Sequence, residues 1–121
     1  MATPKEALPK LAEIDGFIGA CIVDSNSGMM LAASGNAAAI NLEVAAAGNT
    51  EVVRAKLKTM KALGLNDTIE DILITLGKHY HILRPMAKHE GLFIYFVLDK
   101  SKSNLALARR KVQDIEGSMT L

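Results

Sequence analysis

The chain holds no tryptophan and a single cysteine, Cys21. One thiol cannot form an internal disulfide, so no covalent staple is available, and a lone cysteine among apolar neighbours fits a reducing, cytoplasmic setting. An excess of one charge is also missing. The formal charge is +1, from 14 Lys and Arg against 13 Asp and Glu, which supplies neither the basic surface that nucleic acid needs nor an acidic tail. No window approaches the roughly 18 consecutive apolar residues of a membrane span. Met1 to Lys10 carries Pro4 and Pro9 and no apolar core, unlike a signal peptide. Membrane insertion and nucleic-acid binding are therefore not expected.

Several catalytic patterns are absent as well. Gly16 and Gly19 lie before and within an extended run and lack both the glycine spacing and the Lys-Ser/Thr pair of a phosphate-binding loop. Ser25 and Ser27 have no nucleophile-elbow setting, and Cys21 has no cationic helper nearby in sequence. No enzyme activity and no cofactor are expected.

Aromatic residues make up only 4% of the chain, and Phe93, Tyr95 and Phe96 are gathered in the stretch Gly91 to Asp99. Leu92, Ile94, Phe96 and Leu98 fall on one side of an extended strand there, and Phe93, Tyr95 and Val97 on the other. A strand apolar on both faces belongs in the middle of a sheet covered on both sides. Phe17 to Asp24 has the same character and is expected beside it. Asp24-Ser-Asn-Ser-Gly28 is turn chemistry, so Met29 to Ser34 reads as the second arm of a hairpin and an edge strand.

At 121 residues, one domain with a substantial core is expected. Thr3 and Pro4 open a short helix around Ala7, Leu8 and Leu11, which Pro9 confines to its first turns. Asn36 to Ile40 is a small-residue link. Asn41 then caps a long helix from Leu42 to about Leu63, with Leu42, Ala46, Asn49, Val53, Leu57 and Met60 on one stripe and Gly64 ending it. Its last turns are basic through Arg54, Lys56, Lys58 and Lys61, which suits the negative end of the helix dipole. Thr68 to Leu76 reads as a third strand, Gly77-Lys78 as a tight link, and His79 to Arg84 as a fourth strand ending at Pro85. Ser101 or Ser103 is expected to cap a last helix with Leu105, Ala108, Val112 and Ile115 on its inner face. The element order is α-β-β-α-β-β-β-α, an α+β chain.

Taken in order and spacing, these segments resemble the Roadblock family. The resemblance runs from about Leu8 to Ile115. It rests on Gly-Phe-Ile-Gly-Ala-Cys-Ile-Val-Asp-Ser (16 to 25) with Leu31-Ala-Ala-Ser-Gly35, on Ile72-Leu-Ile-Thr-Leu with Tyr80-His-Ile-Leu-Arg-Pro85, and on Leu98-Asp-Lys with Asn104-Leu-Ala-Leu-Ala-Arg109. It implies a five-stranded antiparallel sheet between the long helix on one face and the two terminal helices on the other. It also implies a homodimer in which the middle helices pair and the strands after them join edge to edge. Ala46, Asn49, Val53, Leu57, Met60, Ile72 and Ile74 are the corresponding contact residues. By the same resemblance the function is non-enzymatic: a regulator or scaffold that docks a Ras-like small GTPase or another regulatory protein. Arg54 and Arg84 are the candidates for a charge lent to a GTPase site.

A second reading starts from His79 and His81, two apart on a strand and so on one face. Two imidazoles at that spacing can hold a transition metal, with His89 as a third ligand across the following turn. That reading is a metal- or small-molecule-sensing domain.

Overall fold

The computed structural model describes residues 2–36 and 39–120. Part of the small-residue link, Ala37 and Ala38, lies outside the described residues. Five strands form one antiparallel sheet: β1 (Phe17–Asp24), β2 (Met30–Gly35), β3 (Ile72–Thr75), β4 (His79–Pro85) and β5 (Leu92–Asp99), in the spatial order β2-β1-β5-β4-β3. β1 and β5 occupy the interior of the sheet, as their two apolar faces require, and the shorter β2 and β3 form its edges.

The helices are α1 (Pro4–Ala7), α2 (Leu42–Ala62) and α3 (Leu105–Ser118), and a 3-10 turn from Leu8 to Glu13 continues α1. One side of the sheet is covered by the chain ends: Leu8, Leu11, Ala108 and Val112 pack on Ile22, Ile82, Ile94, Phe96 and Leu98. On the other side Leu42, Ala46 and Val53 of α2 pack on Cys21, Val23, Leu83, Phe93, Tyr95 and Val97. The alternation along β5 thus splits into two separate cores. Ala2 forms a bridge to Met119, with Ala2 N–H donating to Ser118 O at 2.9 Å and Thr120 N–H to Ala2 O at 2.7 Å.

Local chemistry accounts for the boundaries. Thr3 and Asn41 cap α1 and α2, and the Asn41 side-chain oxygen accepts from Val44 N–H at 3.2 Å. α2 ends in the Schellman arrangement: Leu65 N–H donates to Met60 O at 3.0 Å, and Gly64 takes φ +69°, a conformation that costs a residue with a Cβ. Two expectations need correction. The cap of α3 is Asn104, whose side-chain oxygen accepts from Leu107 N–H at 3.1 Å. Ser101 is engaged instead with Asp99, and the Ser103 hydroxyl is buried with no partner among the described residues. The third strand is also shorter than its sequence pattern, covering Ile72–Thr75 rather than residues 68 to 76. As an edge it has one neighbour to hold it, and its lead-in is fixed by a side chain: Asp71 accepts from Arg109 Nε at 2.7 Å and Nη2 at 2.9 Å.

Candidate functional site

Strand register determines which residues share the face beneath α2. Ile74 lies opposite His81, His81 opposite Val97, and Val97 opposite Gly19; one row along, Ile72, Leu83, Tyr95 and Cys21 align. α2 stands over the β1–β5 end of these rows, where Leu42 lies near Gly19 and Asn49 lies beside Tyr95. At the β3–β4 end, Ile72, Ile74, His79 and His81 are only half-buried.

α2 has two flanks. Ala47 and Thr50 face the β1–β2 turn at Gly28. Residues recur on one face at intervals of three and four, so Ala45, Asn49, Val52 and Lys56 form the opposite flank, toward β4 and β3. Val52 is 38% exposed there. The contact stripe expected from the sequence is therefore divided. Ala46, Val53 and Met60 are buried within the subunit, and Asn49 lies half-buried at the boundary. Leu57 is 47% exposed and lines a groove of about 400 Å³ with Pro85, Glu90 and Phe93.

A chain of polar side chains crosses the core between helix and sheet. Asn49 on α2 lies beside the Tyr95 phenol on β5, and the Tyr95 hydroxyl lies 2.9 Å from His81 Nδ1 on β4. Asn49 and Tyr95 were readable only as members of apolar stripes. Their signal was an amide and a phenol at positions whose neighbours are Ala, Val and Phe, where a buried polar group calls for a partner. The His81 ring stacks on His79 at 5.7 Å between centroids, and its Nε2 is buried with no partner among the described residues. Burial holds His81 below the usual imidazole value, and the His79 charge adds to the effect. Burial and the neighbouring Cys21 push Tyr95 up to about 12, although Asn49 acts in the other direction; burial alone pushes Cys21 up to about 12. Neither the thiol nor the phenol ionises near neutrality.

His79 and His81 share a face as expected, but His89 lies beyond Pro85 in the β4–β5 loop. Among the described residues no three His, Cys, Asp or Glu side chains come together as a metal site would need. Of the two arginines considered for a GTPase partner, Arg84 is committed within the subunit, its Nε 2.5 Å from Glu116. Arg54 is exposed on α2. Among the described residues no helix is long and apolar enough to cross a membrane.

A five-stranded antiparallel sheet with the long middle helix on one face and the terminal helices on the other defines an α+β sandwich of one particular topology. It is the Roadblock fold. The structure is similar to a Roadblock/LC7 domain from Streptomyces avermitilis, with TM-score 0.82, 9% identity and coverage of 97% of this chain and 94% of that one. It is similar to MglB from Myxococcus xanthus, with TM-score 0.79, 16% identity and coverage of 92% and 86%. It is also similar to the gliding protein MglB from Thermus thermophilus, with TM-score 0.76, 16% identity and coverage of 91% and 80%. No family model and no curated protein matches the sequence.

Proposed function

We propose that the chain is a non-enzymatic regulatory or scaffold protein that works as a homodimer and docks a Ras-like small GTPase or another regulatory protein. The observation that carries this reading is the free edge of β3 beside an incompletely covered sheet face and the open flank of α2. A free edge offers unpaired backbone groups to another strand, and a two-fold contact satisfies both copies at once. Ile72, Ile74 and Asn49 lie at this contact, joined by Ala45 and Val52. Ala46, Val53 and Met60 support it from beneath by fixing α2 on the sheet. The dimer then presents a rigid surface that favours one switch conformation of a docked GTPase. The resemblance to Roadblock proteins, whose members act mainly as adaptors and regulators of such GTPases, supports that partner class.

Two measurements test this. Sedimentation equilibrium at micromolar concentration should give a dimer, and Val52→Glu should give a folded monomer, because it sets a carboxylate in an apolar contact. A wild-type monomer, or a Val52→Glu dimer as tight as wild type, overturns the self-association. Capture on the immobilised chain from native lysate, loaded in turn with GDP and a non-hydrolysable GTP analogue, should retain a Ras-like GTPase in a nucleotide-dependent manner. Absence of any such GTPase from both captures removes that partner class.

A further inference from the structure

We propose that self-association at this face is gated by pH through His79 and His81: with both imidazoles neutral a second copy of this chain seats against β3 and the α2 flank, and protonation of the pair separates the copies. The inference rests on the dimer reading above and adds its regulation.

The geometry concentrates the titrating groups where the second copy would lie. His79 and His81 project from one strand onto one face with their rings stacked at 5.7 Å, and His81 is paired in register with Ile74 on the free edge strand. A two-fold contact uses the same face of both copies, so protonation puts charge on both sides of the contact, one strand in from the joined edges, and buries it.

The surrounding groups offer little compensation. β3 contributes no titratable side chain between Ile72 and Thr75, and Asp71 just before it is held by Arg109. The open flank of α2 carries Lys56, which adds positive charge. Lys78 precedes His79, and on β5 Tyr95 stays a neutral phenol, as does the Cys21 thiol on β1. Asp99 at the end of β5 is the carboxylate whose charge reaches His79, and it already accepts from the Ser101 backbone N–H at 2.9 Å and hydroxyl at 2.7 Å. A protonated His81 carries two N–H groups: Nδ1–H can donate to the Tyr95 hydroxyl, but Nε2–H is buried with no acceptor among the described residues.

Burial already disfavours the charged form of His81, and a second copy would bury this face further. A group that binds its proton less well in the dimer than in the monomer shifts the equilibrium to monomer as protons are added. An imidazole that binds its proton less well after assembly weakens the dimer as pH falls through its titration.

The test measures the dimer dissociation constant by sedimentation equilibrium at about pH 7.5 and about pH 5.5, the range in which histidine changes charge. Circular dichroism checks folding at each pH. Wild type and His89→Gln should weaken by at least about tenfold at the lower pH. His79→Gln should reduce that change, and the double variant His79→Gln, His81→Gln should abolish it. If the double variant is unfolded, His79→Gln alone decides, since His79 makes no contact with Tyr95 in the polar chain. A folded wild-type dimer with a pH-independent constant overturns the gating and leaves the dimer standing. So does a pH dependence unchanged in His79→Gln and in the folded double variant, or one lost in His89→Gln. A monomer at both pH values overturns the dimer and the gating with it.

Discussion

Glu116 sits 8% exposed on α3, where one carboxylate oxygen accepts from Arg84 Nε at 2.5 Å and the other from Ala87 N–H at 3.0 Å. It thereby holds the end of β4 and the start of the following loop against the last helix. Glu116→Ala strands the Arg84 guanidinium, itself 16% exposed, and should cost about 3 kcal/mol, because breaking a buried pair leaves one charge uncompensated. Urea denaturation checks the figure, and the double variant Glu116→Ala, Arg84→Met should recover part of the loss. Phe96 tests a different term. It is 1% exposed between α3 and the sheet, and Phe96→Ala should cost about 3–5 kcal/mol through lost burial and the cavity left behind. The same denaturation series reads both variants.

Among the elements, α2 combines a strong cap at each end with a weak middle. Gly48 lies inside the helix with nothing within 4 Å of where a Cβ would be. Gly48→Ala should stabilise the subunit by about 1 kcal/mol from helix propensity alone. Gly64→Ala should have the opposite sign, a loss of about 1–2 kcal/mol, because φ +69° is a left-handed conformation that a Cβ opposes. Thermal unfolding of the two variants should therefore move in opposite directions. These elements also show what the sequence made legible. β1 and β5 could be placed because a strand apolar on both faces has only the centre of a covered sheet to occupy, and Asn41 and Gly64 marked α2 by chemistry local to a few residues. The cap of α3 was expected at Ser101 or Ser103, but Asn104 also carries a capping oxygen and takes the position, while Ser101 is engaged by Asp99. The extent of β3 was hidden as well. Its lead-in is held by Arg109, 38 residues further along the chain, and no local pattern announces that contact. At the candidate site, helical spacing identified which residues of α2 are apolar. It could not tell the side that lies on its own sheet from the side left open, because that depends on where the helix crosses the strands.

For the whole molecule, the burial of His81, with the His79 charge adding to it, makes stability respond to acid. The folded protein holds His81 below the ordinary value of 6.5, so the unfolded chain takes up a proton first as pH falls. The stabilisation is fully present above that value, declines as pH drops from 6.5 toward the folded value, and is exhausted below it. Stability should thus be lower at about pH 5.5 than at about pH 7.5, and His81→Phe should flatten that part of the profile, as measured by denaturant midpoints at each pH. Another feature acts on the molecule as a body. The bridge between Ala2 and Met119 brings the two ends of the described chain side by side on the layer opposite α2. Anything tethered to either end hangs from the same point, on the far side of the sheet from the α2 flank. A reporter, an affinity handle or a surface anchor attached there leaves that flank turned outward, and a short peptide loop joining the ends would let the chain be reopened at Gly77-Lys78 between β3 and β4 without crossing a layer.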